Sequence, residues 1–259
     1  MNLLLSNDDG VNAPGIRSLY KELSQKFPNT TIIAPLEERS TTGHSLSLDK
    51  PLRLERIENN IYGCSGFPGD CVLMGLGHVM KNNRPSVVVS GINRGANLGQ
   101  DLYYSGTIAA AREAAFHNVP AIAVSLVLDS VGDKHLYDTA ATLVGWCLEE
   151  GLHKLCPPMT LLNINVPNVG LKQIKGFKLT EVGFRQYSEE IHVRMDARHR
   201  EYFWIAGHYL GFNENPESDC QAVKEGFVAL TPQSLVGRPA YDAGALGKLL
   251  ERLNAKLGS

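Results

Sequence analysis

The 259-residue sequence has no marked excess of charge of either sign, no paired-cysteine pattern and no long apolar run. Each of these absences removes a class of protein. A formal net charge of −2 leaves no basic footprint for duplex nucleic acid or an anionic membrane, although a small anionic ligand can still be met by a metal ion or a helix end. The five cysteines (Cys64, Cys71, Cys147, Cys156 and Cys220) are odd in number and scattered, with no CxxC and no Cys/His spacing suited to zinc. Free thiols in a reducing cytosol are the expectation. The opening MNLLLSNDDG lacks the basic region and apolar run of a signal peptide. No stretch approaches the ~18 apolar residues of a spanning helix, so a cytoplasmic protein is expected. Several catalytic signatures are missing too: GxxxxGK[ST], a GxGxxG after the first strand, GxSxG, and the spaced Asp-x-Asp of aspartyl-nucleophile phosphatases.

What is present is 43% hydrophobic sequence, enough for a substantial core in one large α/β unit. Asn2–Asn7, Ser86–Ser90 (SVVVS) and Ala121–Leu126 read as short buried strands, Thr30–Ala34 as a further strand ended by Pro35, and Thr160–Val166 as a strand with alternating Leu162, Ile164 and Val166. Between them, helical spacing begins at Pro14 and covers Asp70–Lys81, Ser105–His117 and Asp138–Glu150. Residues 44–64 alternate in short segments and suggest a small hairpin excursion. Strands alternating with helices predict βαβ units, hence a three-layer Rossmann-like α/β core around a mostly parallel sheet. From about residue 172 the texture changes to short aromatic segments (FKLTEV, IHVRM, EYFWIAG), which predict antiparallel hairpins. Gly211–Asp219 suggests a polar loop, Phe227–Thr231 a late strand and Tyr241–Leu257 a closing amphipathic helix. The chain is expected to form a single domain over 1–259, with its core over about 1–170 and 226–240. The β-rich extension over about 171–225 and the closing helix are expected to serve oligomerisation.

Open parallel sheets bind ligands beyond the carboxyl ends of their strands, and three such places are polar here. Asn7-Asp8-Asp9-Gly10 puts adjacent carboxylates at a strand end, where a hard cation relieves their repulsion; an Asx-turn opening a helix would use the same residues. Arg39–Ser45 offers hydroxyls and a glycine to a phosphate or a metal shell, or forms an ordinary solvated loop. Its His44 is expected as a structural hydrogen-bonding residue. Gly91–Gly99 has glycines at a spacing of four with Asn93 and Asn97 between them, suited to a loop that turns its amides inward. Ser105-Gly106-Thr107 then opens a helix, either as a plain N-cap or as an anion seat.

At these residues the sequence resembles the SurE family, the stationary-phase survival proteins that act as nucleoside monophosphate phosphatases. The matching strings are LLSNDDGVNAPGI (Leu4–Ile16), AP-x4-S followed by GHSLSL (Ala34–Leu48), PGDCV (Pro68–Val72), SGINRGANLG (Ser90–Gly99) and YSGTIAAAREA (Tyr104–Ala114). YFWIAG (Tyr202–Gly207) and Thr231-Pro232 agree more loosely. The resemblance implies a metal-dependent 5'-nucleotidase, with a swapped C-terminal region and assembly as a homodimer or homotetramer. It implies one Mg²⁺ or Mn²⁺ per subunit held by Asp8, Asp9, Ser40 and Asn93, with Asp8 and Asp9 catalytic, and a phosphate seat at Asn97, Ser105, Gly106 and Thr107. The implied partner is a small nucleotide substrate, without nucleic-acid duplex or membrane. The chain departs from the family at Leu36-Glu37-Glu38, Phe67 and Gln100, none in the implied metal shell. A phosphatase for other small esters or short polyphosphate, and a non-catalytic nucleotide- or metal-sensing module, are the alternatives.

Overall fold

The computed structural model describes residues 1–128 and 134–237. In chain order it contains β1 (Asn2–Ser6), α1 (Pro14–Lys26), β2 (Asn29–Pro35), β3 (Leu54–Glu58), β4 (Ile61–Cys64), α2 (Pro68–Met74), β5 (Val87–Arg94), α3 (Gly106–Phe116) and β6 (Ala121–Val127). There follow α4 (Tyr137–Glu149), β7 (Thr160–Pro167), β8 (Phe177–Leu179), β9 (Arg185–Tyr187), β10 (Ile191–Met195), β11 (Glu201–Ile205), β12 (Tyr209–Phe212), α5 (Asp219–Lys224) and β13 (Val228–Ser234). The closing helix expected at Tyr241–Leu257 lies outside the described residues.

One nine-stranded sheet runs in the order β3-β4-β2-β1-β5-β6-β7-β13-β8. Its centre is parallel from β4 through β7, with antiparallel pairs only at β3/β4 and β7/β13. The central strands are apolar at successive positions because both faces are covered. Leu3 and Leu5 of β1, Val87 and Val89 of β5, and Ile122 and Val124 of β6 join the core under α1 and α4. Leu4, Val88, Ala121 and Ala123 point the other way, into the core formed with α2 and α3. On that side Ala110, Ala111, Ala114 and Ala115 of α3 are fully or almost fully buried, so small side chains let the helix lie close to β5 and β6. The result is the three-layer α/β arrangement expected from the sequence.

Three local expectations change. The sequence suggests helical spacing over Asp70–Lys81, yet α2 stops at Met74 and a wider turn follows over Gly75–Val79. Two glycines there weaken the helix, and a Cβ on Gly75 would come within 2.5 Å of Leu4. FKLTEV suggests an antiparallel hairpin, but its β8 pairs in parallel with β13 at the edge of the main sheet. The hairpin excursion is confined to β3 and β4, and β4 itself joins β2 in parallel. The later segments do form antiparallel pairs, β10 with β11 and β9 with β12.

Candidate functional site

β1 ends at Ser6, and the following NDDG turn is fixed at the carboxyl edge of the sheet. Asn7 Nδ2 donates to the Gly10 carbonyl at 2.9 Å, and Gly10 takes φ +103°, a backbone region that favours glycine. Val11 N–H donates to the Pro35 carbonyl at 2.8 Å, and Arg39 N–H to the Asp8 carbonyl at 2.7 Å, which ties the turn to the end of β2. β5 reaches the same edge with a register shift between Ser90 and Asn93. Asn93, expected in a loop, therefore stands on the bulged end of a strand, the device that commonly re-aims a side chain beside a site. Gly15 at the start of α1 packs directly beneath, since a Cβ there would lie 2.0 Å from the Ile92 carbonyl oxygen.

These turns enclose a cavity of about 280 Å³ lined by Asp8, Asp9, Ser40, Asn93, Asn97 and Ser105, with Thr41, Arg94, Ala96, Asp101 and Tyr104 completing the wall. Six of the eight residues singled out from the sequence thus share one cavity; Gly106 and Thr107 stand behind Asp8. Thr107 is fully buried, and its hydroxyl donates to Asp8 Oδ1. A Cβ on Gly106 would lie 2.7 Å from the Asp8 Cβ, so glycine is what lets the carboxylate rest on the N-terminus of α3. Ser105 caps that helix, its Oγ accepting from Ile108 N–H at 3.1 Å.

Burial makes ionisation of both carboxylates costly. Asp8 is buried, and its pKa is pushed up to about 6, chiefly by desolvation; the Thr107 hydrogen bond opposes this and the Asp9 charge adds to it. Asp9 is also raised, first by burial, while the Arg94 backbone N–H and guanidinium pull it down and Glu38 pushes it up. The Arg94 N–H donates to Asp9 Oδ2 at 3.2 Å. The Ser40 hydroxyl donates to Glu38 Oε1 at 2.7 Å, and Asn93, which lines the cavity, donates its Nδ2 to the Gly95 carbonyl at 3.0 Å, leaving its amide oxygen uncommitted among the described residues. This oxygen-rich, negatively charged donor set fits a hard divalent cation of the Mg²⁺ or Mn²⁺ kind and lacks the sulfur and imidazole that favour zinc.

Residues not expected from the sequence hold the wall in place. Asn97 is buried. Its Nδ2 donates to Ser125 Oγ at 2.8 Å, its N–H to Asn165 Oδ1 at 3.0 Å, and its carbonyl accepts from Asn163 and Asn165. Two buried asparagines inside the apolar β7 were the available signal, since buried amides require partners. Asp219, also fully buried, accepts Gly99 N–H at 3.0 Å and Gly183 N–H at 2.9 Å, so the 183–219 segment supports the loop after Asn97. Gln100 exchanges two hydrogen bonds with the Arg185 backbone. His44 lies outside the cavity wall, 2.8 Å from Glu113, the structural pairing expected of it.

The family model of Survival protein SurE matches residues 3–189. The chain belongs to the SurE family. Among its SurE relatives, a protein from Geobacter metallireducens named 5'-nucleotidase SurE is 43% identical over 237 residues, covering 91% of this chain and 92% of its own length. A 5'-nucleotidase SurE from Thermosipho africanus is 42% identical over 239 residues, covering 91% and 92%. The crystal structure of the SurE protein from Aquifex aeolicus superposes with a TM-score of 0.83 at 32% identity, covering 98% of this chain and all of that one. The turns that build the cavity all fall within the matched family region.

Proposed function

We propose that this SurE chain is a 5'-nucleotidase that hydrolyses nucleoside monophosphates to nucleoside and phosphate, using one divalent cation, Mg²⁺ or Mn²⁺, per subunit. The observation that carries the proposal is the pair of adjacent, partly or fully buried carboxylates, Asp8 and Asp9, raised by burial and facing a polar cavity. Relatives at 42–43% identity bearing the name 5'-nucleotidase support the substrate class.

Asp8, Asp9, Ser40 and Asn93 would hold the cation. When bound, such a cation neutralises phosphoryl charge and makes water a better nucleophile. The protein's own groups do the rest. Thr107 and the start of α3 fix Asp8, so its carboxylate does not swing as charge develops. Asn97 and Ser105 line the wall where a phosphate would sit, and amides at a helix N-terminus favour an anion. Arg94 lines the same cavity and brings positive charge to it, with its guanidinium 3.6 Å from Glu38. Asp9 accepts a hydrogen bond at Oδ2 and Asp8 one at Oδ1, so each carboxylate keeps one oxygen for the cation or for the proton of the attacking water. As the new P–O bond forms in line, the ester P–O bond breaks and the leaving oxygen takes a proton from solvent.

A cytoplasmic location and assembly as a homodimer or homotetramer complete the proposal. Among the described residues no helix is long and apolar enough to cross a membrane. The exposed apolar residues of β10 and β11, with Val193, Phe203 and Trp204 each more than half exposed, support a covering subunit. The test is phosphate release from a panel of nucleoside monophosphates beside β-glycerophosphate and tripolyphosphate, with Mn²⁺ present. Monophosphates should head the ranking by kcat/KM; a tripolyphosphate or glycerol ester at the head would overturn the substrate assignment.

A further inference from the structure

The cavity wall described above is almost wholly polar or small, with one exception. Tyr104 is the single aromatic residue lining it. Its backbone is held on both sides: its N–H donates to the Asp101 carbonyl at 3.0 Å, and its carbonyl accepts Gly43 N–H at 3.1 Å. The residue itself is 67% exposed. Among the described residues its ring takes part in no aromatic stack or cation–π pair, whereas the stacks and pairs present elsewhere involve other rings. An aromatic ring on an anchored backbone, open to solvent and adjoining the Ser105 cap, is available to a ligand rather than committed to a ring partner. The neighbouring Tyr103 is comparably exposed at 63% but lines a separate cavity with Arg112 and Phe116.

We propose that Tyr104 is the nucleobase seat, stacking the base of a nucleotide whose phosphate lies at the Asn97 and Ser105 wall, beside the cation site of Asp8 and Asp9; this rests on the nucleotidase reading above. A nucleoside monophosphate has one charged end and one planar aromatic end, and the polar wall serves only the first. Any base presents a π-face, and a stacking contact requires no donor or acceptor at the base edge. Tyr104 follows directly before the helix cap that faces the phosphate. The aromatic surface is thereby held at the margin of the polar cavity, where the nucleoside leaves it.

The experiment compares AMP with ribose 5-phosphate, which keeps the phosphate and sugar and lacks the base, in Mn²⁺ with the full-length protein. Variants are Tyr104→Ala, Tyr104→Phe and the control Tyr103→Ala, and calorimetric Kd values for AMP are measured alongside turnover. In Tyr104→Ala the kcat/KM ratio of AMP over ribose 5-phosphate should fall about tenfold, equivalent to ~1.4 kcal/mol, and the Kd for AMP should weaken similarly. Tyr104→Phe retains the ring and should keep the ratio, as should Tyr103→Ala. An unchanged ratio in Tyr104→Ala, or an equal fall in Tyr103→Ala, overturns the seat. If the unmodified protein hydrolyses neither ester, the nucleotidase reading fails and the Kd decides alone. Tenfold weaker AMP binding in Tyr104→Ala would then retain the seat; equal binding, or none in the unmodified protein, would remove it.

Discussion

Ionising Asp8 with no cation beside it costs folding free energy, and that cost is measurable. In the folded chain its pKa stands at about 6 against an ordinary 3.8, so between those values the folded state binds the proton more tightly than the unfolded state. The contribution to stability is therefore unfavourable. It is absent below pH ~4, grows through pH 4–6 and is complete above pH 6. About two pKa units correspond to roughly 3 kcal/mol, and near-complete burial of the residue leaves little solvent screening to reduce it. The perturbation is Asp8→Asn, which removes the titration at nearly constant shape. Urea unfolding in EDTA from pH 4 to 7.5 should show the unmodified protein losing about 3 kcal/mol relative to the variant. Adding Mn²⁺ at pH 7 should reverse the order once the metal exceeds its Kd by about 1,000-fold, because it then stabilises by about 4.1 kcal/mol, more than the roughly 3 kcal/mol lost, and Asp8→Asn lacks the charge to hold it. Parallel profiles, within about 0.5 kcal/mol across the range (the usual scatter of additive sites), would refute the link between burial of Asp8 and the cation site.

Two further outcomes follow from contacts around that carboxylate. Gly106→Ala places a Cβ 2.7 Å from the Asp8 Cβ; the displaced carboxylate should lower kcat about 100-fold, as misplacement by about 1 Å does, while circular dichroism shows the fold retained. Asp219→Ala leaves the Gly99 and Gly183 N–H groups without their buried acceptor; unfolding should show a loss of about 3 kcal/mol, and KM for AMP should rise because the loop after Asn97 loses its support.

Much of this was legible in the sequence, for identifiable reasons. β1 and β5 stand out because a strand covered on both faces is apolar at successive positions, β7 because Leu162, Ile164 and Val166 alternate, and α3 because its alanines pack against β6. The turn after β1 stands out because adjacent aspartates at a strand end are electrostatically costly. What was not legible depends on pairing at long range. Nothing local distinguishes β8 as a parallel edge strand, because its partner β13 lies some 50 residues later. Thr107 reads equally well as anion-seat hydroxyl or as helix start; only the approach of β1 to α3 commits its hydroxyl to Asp8. Asn163, Asn165 and Asp219 carry polar groups whose partners lie between 36 and 120 residues away, so their roles as supports emerge only when the sheet edge is assembled.

The most direct measurement is phosphate release from AMP by protein stripped with EDTA and then reloaded with Mn²⁺, for the unmodified chain and for Asp9→Asn. The expected result is release only after reloading, and a rate at least about 100-fold lower in Asp9→Asn, the scale on which a lost electrostatic stabiliser acts. Undiminished release in EDTA, or near-normal turnover by Asp9→Asn at saturating Mn²⁺, would contradict a cation-dependent centre built on this carboxylate pair.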